Sequence, residues 1–389
     1  MERLVKAVVL PPGPRLHRVL SDALDHTGPA VCPISPDLPA PALAELLEEL
    51  RPASVETEEG VRGYAPPGDS GAAPPAATGT AVLIATSGST GRPKIVELSG
   101  AALRHSAVAT LERVRAEPGD RWLCCLPTSH IAGVQVLVRS LVADTAPVIH
   151  PRFDIDAVAA SAAEHISLVP TQLRRLLDAG VDLSAFRSIL LGGAAPAPPL
   201  VAEARSRGGR VFVTYGMSET CGGCVYDGVP LDGVAVGLGP DGRVRLRGPV
   251  LFTGYRLRPD LTAAARDGDW FVTQDLGVVE DGRLRIRGRV DDVINTGGEK
   301  VVAGDVASVL SRHPSVRDVV VVGRPDPEWG ERVTAVVVPA GGRTPSLGEL
   351  RLWARERLPV HAAPRELELV EAIPLLPSGK PDRARLRRS

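Results

Sequence analysis

From about residue 81 the hydrophobic positions fall into short apolar runs separated by longer stretches with helical spacing. The runs at 81–86, 122–126, 147–150, 166–169, 189–191 and 211–214 read as strands, and the stretches 101–116, 131–142, 170–179 and 198–207 as helices. Strands interleaved with helices predict a largely parallel sheet with helices on its faces, and such sheets bind ligands in loops at their strand ends. From 234 to 287 the texture changes to strands at 244–246, 270–272, 277–279 and 284–286, punctuated by Asp-Gly pairs at 241–242, 267–268 and 281–282. Asp-Gly between apolar runs is a hairpin signal, so a small antiparallel barrel or sheet is expected there. After Gly288-Arg289 a compact α+β unit follows, with helices at 304–312 and 347–357 and strands at 316–322, 333–338 and 366–370. The stretch 66–79 is rich in Pro, Ala and Gly and reads as a surface linker.

Composition narrows the class. A chain of 389 residues, 44% hydrophobic and 23% charged, is an ordinary globular protein of more than one structural unit. With 45 Lys+Arg against 46 Asp+Glu the net charge is -1, which leaves no electrostatic footprint for nucleic acid. The C-terminal arginines Arg383, Arg385, Arg387 and Arg388 read as a solvated tail, with contact to a ligand phosphate as the alternative. Cys221 and Cys224 have C-x-x-C spacing but no second pair at zinc-site distance, and Cys124 and Cys125 sit in an apolar run as small hydrophobes. The most apolar window, 131–149, is interrupted by Arg139 and Asp144, so no membrane span is expected. Residues 5–10 are too short for a signal-peptide core, and an odd cysteine count suits a reducing cytoplasm.

The sharpest chemical signal is Thr86-Ser87-Gly88-Ser89-Thr90-Gly91-Arg92-Pro93-Lys94, directly after an apolar run. Glycines let the backbone approach an anion closely, hydroxyls donate hydrogen bonds, and Lys94 adds positive charge. This is a loop built for a polyphosphate. It is not the Walker pattern, because Arg-Pro-Lys rather than Lys-[Ser/Thr] follows the second glycine.

The nonapeptide resembles the phosphate loop of the adenylate-forming superfamily, which groups acyl- and aryl-CoA synthetases, peptide-synthetase adenylation domains and luciferases. The resemblance implies an α/β fold, a large N-terminal domain over 1–288 and a small mobile C-terminal domain over 289–389, with ATP and Mg2+ as cofactors. Gly192-Gly193-Ala194-Ala195-Pro196 resembles the loop that flanks adenine. In Tyr215-Gly216-Met217-Ser218-Glu219-Thr220 the tyrosine would stack near adenine, the hydroxyls would touch phosphate, and Glu219 with Thr86 would hold the metal. Asp275 takes the place of the aspartate on the ribose hydroxyls, with Gln274 where glycine is usual; Arg289 that of the arginine on ribose and phosphate; Asp291 that of the hinge. Lys380, in Pro377-Ser378-Gly379-Lys380, matches the lysine that assists adenylation, and with Glu219, Thr86 and His130 completes the implied catalytic set. Taken singly, Lys380 is an exposed turn lysine, Asp275 a turn residue and Glu219 a helix cap. Five motifs in one order are what carry the resemblance.

For the acceptor, Gly297 and Gly298 in Thr296-Gly297-Gly298-Glu299-Lys300-Val301 imply a tunnel for coenzyme A, although carrier-protein-loading relatives have similar glycines. For the acid, His130 matches a histidine beside the acyl pocket, with Gly192 and Gly216 lining it. Arg139 is a guanidinium in an otherwise apolar helix, which needs either a protein carboxylate or an anionic substrate. Residues 130–143, 167–177, 192–196 and 215–234 resemble the short actinobacterial branch of the family that makes the CoA thioester of o-succinylbenzoate for menaquinone. That resemblance runs from about residue 80, and it implies a dicarboxylic aromatic acid as partner, with Arg139 in the polar pocket. Starting the phosphate loop at 86 implies a shortened first subdomain; Ile95, Thr128-Ser129 and Ala132 depart from the pattern. A secondary-metabolism enzyme passing another acid to CoA, an amine or a carrier protein is the alternative. Oligomeric state is not written in the sequence, though relatives are often dimers.

Overall fold

The structure is a computed structural model that describes residues 3–65, 71–86, 93–376 and 379–388. The chain divides into two compact units: Met1–Gly193 with Arg207–Ala235 and Leu246–Phe271, and Ala194–Ser206 with Val236–Arg245 and Val272–Ser389.

Two sheets form the first unit. One has the order Gly254–Tyr255, Lys94–Ser99, Thr80–Thr86, Ala30–Ile34, Val5–Val9, Ser54–Thr57, Gly60–Gly63. Its middle is parallel, with Val5 opposite Ala30 and Val31 opposite Val82, while Lys94–Ser99 turns back antiparallel on Thr80–Thr86. The inner strands are apolar on both faces, as a sheet covered by helices requires. Helices Pro14–Leu24 and Ala40–Leu50 bury Leu16, Leu20, Leu46 and Leu50. The chain ahead of residue 66 is therefore structured, with four strands and two helices of its own. The linker expected at 66–79 also needs correcting from residue 71 onward. Ala76 is buried and bridges Arg3, and the carbonyls of Pro74 and Pro75 bind the buried guanidinium of Arg256.

The second sheet runs Val229–Pro230, Gly222–Tyr226, Val211–Met217, Ser188–Leu191, His165–Leu168, Trp122–Cys124, Val148–Ile149. From Val148–Ile149 to Val211–Met217 neighbouring strands are parallel. The helix Ile131–Val142 lies where its apolar periodicity placed it, with Val134, Val136, Leu137 and Val138 buried. Beneath it, His165 Nε2 meets Asp120 at 3.0 Å and Nδ1 meets the Ser188 hydroxyl at 2.8 Å. All three are buried, so this Asp-His-Ser chain is a satisfied core network.

In the second unit, Trp270–Glu280 and Arg283–Arg289 form a hairpin whose turn places Asp281 at φ 49 and Gly282 at φ 72, as an Asp-Gly turn demands. The hairpin's neighbours in the same unit come from Ala235–Leu238 and Arg243–Arg247. The two strands expected at 270–272 and 277–279 are one strand, because the intervening polar residues alternate correctly. Thr273 and Asp275 point inward, and the Thr273 hydroxyl is satisfied by the Val244 carbonyl at 2.9 Å. The tail forms a sheet in the order Glu299–Val302, Val293–Thr296, Gly330–Pro339, Val316–Asp326, with Glu366–Leu369 parallel to Gly330–Pro339. Helices Ala303–Leu310 and Leu347–Arg355 cover it through Val306, Leu310, Leu350 and Ala354. Among the described residues no helix is long and apolar enough to cross a membrane.

Candidate active site

Thr86 and Lys94 close a hairpin. They face each other at the ends of Thr80–Thr86 and Lys94–Ser99, and the Thr86 hydroxyl donates to the Lys94 carbonyl at 3.0 Å. Ser87, Gly88, Ser89, Thr90 and Gly91, the remaining residues assigned to phosphate, lie outside the described residues. The Lys94 ammonium sits 5.7 Å from the ring centroid of Tyr255. On the same tyrosine, the hydroxyl donates to Glu219 Oε1 at 2.8 Å. Lys94 and Glu219, 125 positions apart in the numbering, are thus joined through one aromatic ring. Burial and the Glu219 carboxylate push the Tyr255 phenol well above its ordinary range, so it stays a donor.

Tyr255 was not singled out by its sequence, where Gly254-Tyr255 looks like any short aromatic turn. Its role comes from position. Gly254 and Tyr255 pair with Glu97 and Val96, and the next residue, Arg256, is a buried anchor bound to Glu97 at 3.2 Å and to the carbonyls of Leu50, Arg51, Pro74 and Pro75.

Glu219 lies in the short helical turn Ser218–Thr220, whose Thr220 hydroxyl accepts from the Met217 N–H at 2.9 Å. Its backbone carbonyl accepts from Phe252 N–H at 2.8 Å, and among the described residues Oε2 has no partner. No group of three or more His, Cys, Asp or Glu side chains able to hold a metal occurs among the described residues. One carboxylate and one hydroxyl nevertheless suit Mg2+, which takes few protein ligands and completes its shell with phosphate oxygens and water. Glu219 and Thr86 fit that demand.

The glycines of this region answer to sterics. A Cβ on Gly216 would lie 1.9 Å from the Gly222 carbonyl oxygen, at a bulge between Tyr215 and Gly216. A Cβ on Gly192 would lie 2.4 Å from the Thr214 hydroxyl, and Gly193 has φ 81. Tyr215 and Met217 stand on the same strand, half-buried, with Ser218 directly after it. Ala194, Ala195 and Pro196 belong to the second unit, ahead of helix Pro198–Ser206.

Arg139 is 5% exposed on helix Ile131–Val142, and its guanidinium stacks 4.1 Å from the Trp122 ring centroid. Nη2 donates to the Ser167 hydroxyl at 2.9 Å, and among the described residues Nε has no partner. No carboxylate pairs with it among the described residues. Burial draws its pKa down to about 10, which still leaves the cation at neutral pH. His130 precedes the helix as its N-cap, half-buried.

In the second unit Asp275 and Arg289 are cross-strand partners with Nη1 to Oδ1 at 3.4 Å, and Arg289 Nε also reaches Asp291 at 2.9 Å. Asp275 is buried, with Arg289 as one of its partners. Gly297 and Gly298 form the turn between Val293–Thr296 and Glu299–Val302, at φ 62 and 83. Two successive positive φ angles already favour glycine in that hairpin turn. Lys380 is exposed, following Gly379 at φ 78 in a turn closed by Leu376 N–H to the Lys380 carbonyl at 2.8 Å. The C-terminal arginines are not merely solvated: Arg383 and Arg387 both pair with the buried Asp292, beside Asp291.

Residues 6–245 match the family described as AMP-binding enzyme. The chain belongs to the AMP-binding enzyme family. Residues 305–380 match the AMP-binding enzyme C-terminal domain. The family match begins at residue 6, ahead of the phosphate loop that starts at Thr86. The chain is 41% identical over 327 residues to the probable 2-succinylbenzoate–CoA ligase of Mycobacterium tuberculosis, covering 79% of this chain and 84% of that one. Among solved structures it is similar to o-succinylbenzoate CoA synthetase from Bacillus subtilis in complex with its acyl-adenylate intermediate. There the TM-score is 0.83 and the identity 28%, over 99% of this chain and 88% of that one. It is similar also to an amide bond synthetase from Marinactinospora thermotolerans, with TM-score 0.87 and 26% identity over 100% of this chain and 90% of that one. The α/β architecture expected from the phosphate loop is thus the architecture of the AMP-binding enzymes. Within this member of the family, the motif residues group as Thr86–Lys94–Glu219 in one unit and Asp275–Arg289–Asp291 in the other.

Proposed function

We propose that this AMP-binding enzyme activates 2-succinylbenzoate as an acyl-adenylate and transfers the acyl group to coenzyme A in the cytoplasm. The observation that carries the choice of acid is the buried Arg139 guanidinium, which has a hydroxyl and an indole ring for neighbours and no carboxylate among the described residues. Removing a guanidinium from water without an anion is costly, so a substrate carboxylate is the natural complement. Similarity to the mycobacterial ligase, which is named for such a dicarboxylate, supports the same reading.

In the first step a carboxylate oxygen of the acid attacks the α-phosphorus of ATP, forming the acyl–phosphate bond as pyrophosphate leaves. The barrier is charge on the phosphates, so donors rather than a base carry the catalysis. Thr86, the loop Ser87–Gly91 and Lys94 hold the β- and γ-phosphates, Tyr215 and the 192–196 segment flank adenine, and Asp275 with Arg289 grips the ribose. Met217 and Ser218 border the α-phosphate. Glu219 and Thr86 would hold Mg2+, which neutralises phosphate charge when bound. His130, Gly192 and Gly216 border the acid beside Arg139, and Lys380 donates to the transition state. In the second step the CoA sulfur attacks the acyl carbon and AMP leaves. The 289–389 domain turns about Asp291 between the steps, and Gly297 and Gly298 give the pantetheine a path.

The likeness to an amide bond synthetase favours a second acceptor, an amine. Mass analysis of products from ATP, Mg2+ and a panel of aryl and acyl acids, with CoA or an amine, tests both readings. The expected product is 2-succinylbenzoyl-CoA; an amide with CoA left untouched would replace the acceptor, and activation of monoacids alone would replace the acid.

A further inference from the structure

We infer that Tyr255 is a positioning residue that sets the Mg2+ affinity of the ATP site by fixing the Glu219 carboxylate and, through its ring, the Lys94 ammonium. The inference rests on the assignment of Glu219 to the metal and Lys94 to phosphate. A free glutamate has three side-chain torsions to order before it can bind a cation, and each immobilised side chain costs binding free energy. Here the Tyr255 hydroxyl takes Oε1 at 2.8 Å, while Oε2 is left without a partner among the described residues. The carboxylate is thereby held by one oxygen and offered by the other. A neutral phenol does this without cancelling the negative charge that the cation needs, which an arginine or lysine in its place would do.

The tyrosine is itself held. Its N–H donates to the Thr262 hydroxyl at 2.8 Å, and a Cβ on Gly254 would come within 3.1 Å of Thr262. Its strand pairs with Lys94–Ser99, so the ring and the start of the lysine strand move as one piece. The ring is tilted against Phe252 at 4.9 Å, and Phe252 N–H holds the Glu219 carbonyl at 2.8 Å. Glu219 is therefore gripped twice by the 252–255 segment, once by backbone and once by side chain. The Lys94 ammonium at 5.7 Å from the ring centroid is within cation–π range. These distances place the tyrosine between a negative group assigned to the metal and a positive group assigned to phosphate, and within reach of both.

The test is ATP binding by calorimetry on the full chain, without any acid, across a titration of free Mg2+ and again in EDTA. Tyr255→Phe keeps the ring and removes only the hydroxyl. It should raise the Mg2+ needed for half-maximal binding about tenfold, the worth of one charge-assisted hydrogen bond, and leave affinity in EDTA unchanged. Tyr255→Leu removes the ring as well and should also weaken binding in EDTA severalfold. The double variant Tyr255→Phe with Glu219→Gln should bind no worse than Glu219→Gln alone, because the hydroxyl acts through that carboxylate. A Tyr255→Phe protein with the wild-type Mg2+ response, or additive losses in the double variant, would overturn the inference. Wild-type protein that fails to bind ATP at all would instead defeat the proposed function.

Discussion

Asp275 and Arg289 face each other across the hairpin that carries the chain into its C-terminal part, their side chains 3.4 Å apart. Arg289 is also tied to Asp291, so one guanidinium links the carboxylate assigned to ribose with the residue assigned to the hinge. Asp275→Ala should weaken ATP binding by about tenfold or more, the worth of hydrogen bonds to a charged acceptor. Calorimetric titration with ATP checks this, and an unchanged Kd would remove Asp275 from the nucleotide site.

Lys380→Ala should slow pyrophosphate release by about 10² to 10³, the usual cost of one transition-state donor. Thioester formation from preformed acyl-adenylate should fall much less, because the lysine serves only the first step. Rapid-quench measurement of the two half-reactions separates them; equal losses would contradict the assignment.

Arg139→Leu should lower kcat/KM for 2-succinylbenzoate by about 10², since a buried charge pair costs several kcal/mol to break, and should spare monocarboxylic acids. An unchanged acid profile would return Arg139 to a purely structural role under Trp122.

Burial holds the His165 imidazole below its ordinary pKa of 6.5, against the upward pull of Asp120. The unfolded chain then binds the proton more readily, so this contribution to stability is complete above pH 6.5 and is lost as pH falls below it. Urea unfolding of wild type and His165→Asn at pH 7.5 and 5.5 should show a steeper loss for wild type, up to about 1.4 kcal/mol per pH unit. Parallel pH dependences would contradict the neutral, buried histidine.

Gly216→Ala should cost several kcal/mol, because its Cβ would sit 1.9 Å from a backbone oxygen that cannot move without opening the sheet. A thermal midpoint within a degree or two of wild type would show that the bulge yields.

Much of this architecture could be read from residues in order. The helix Ile131–Val142 follows from its apolar spacing, and the turn at Asp281-Gly282 from a residue pair that tolerates two positive φ angles. The first sixty residues were silent because their strands are five residues or shorter and one carries Pro33, a residue that usually argues against a strand. Trp270–Glu280 looked broken at Thr273 and Asp275, whose burial is made tolerable by partners that no local pattern reveals. The motif residues were legible as a set because phosphate chemistry restricts the residue types. Tyr255 was not, because its significance lies in Glu219 and Lys94, which only the folded sheet brings to it. Arg383 and Arg387 misled for the same reason, since Asp292 is far away in sequence.

The central claim, that one ATP site drives acyl–AMP formation on an organic acid, is tested most directly by ATP–pyrophosphate exchange with 2-succinylbenzoate as the only acid. The account predicts exchange that requires both the acid and Mg2+ and that falls about 10² or more in the Lys380→Ala variant. Exchange that proceeds without the acid, or no exchange with this or any other carboxylic acid, would contradict it.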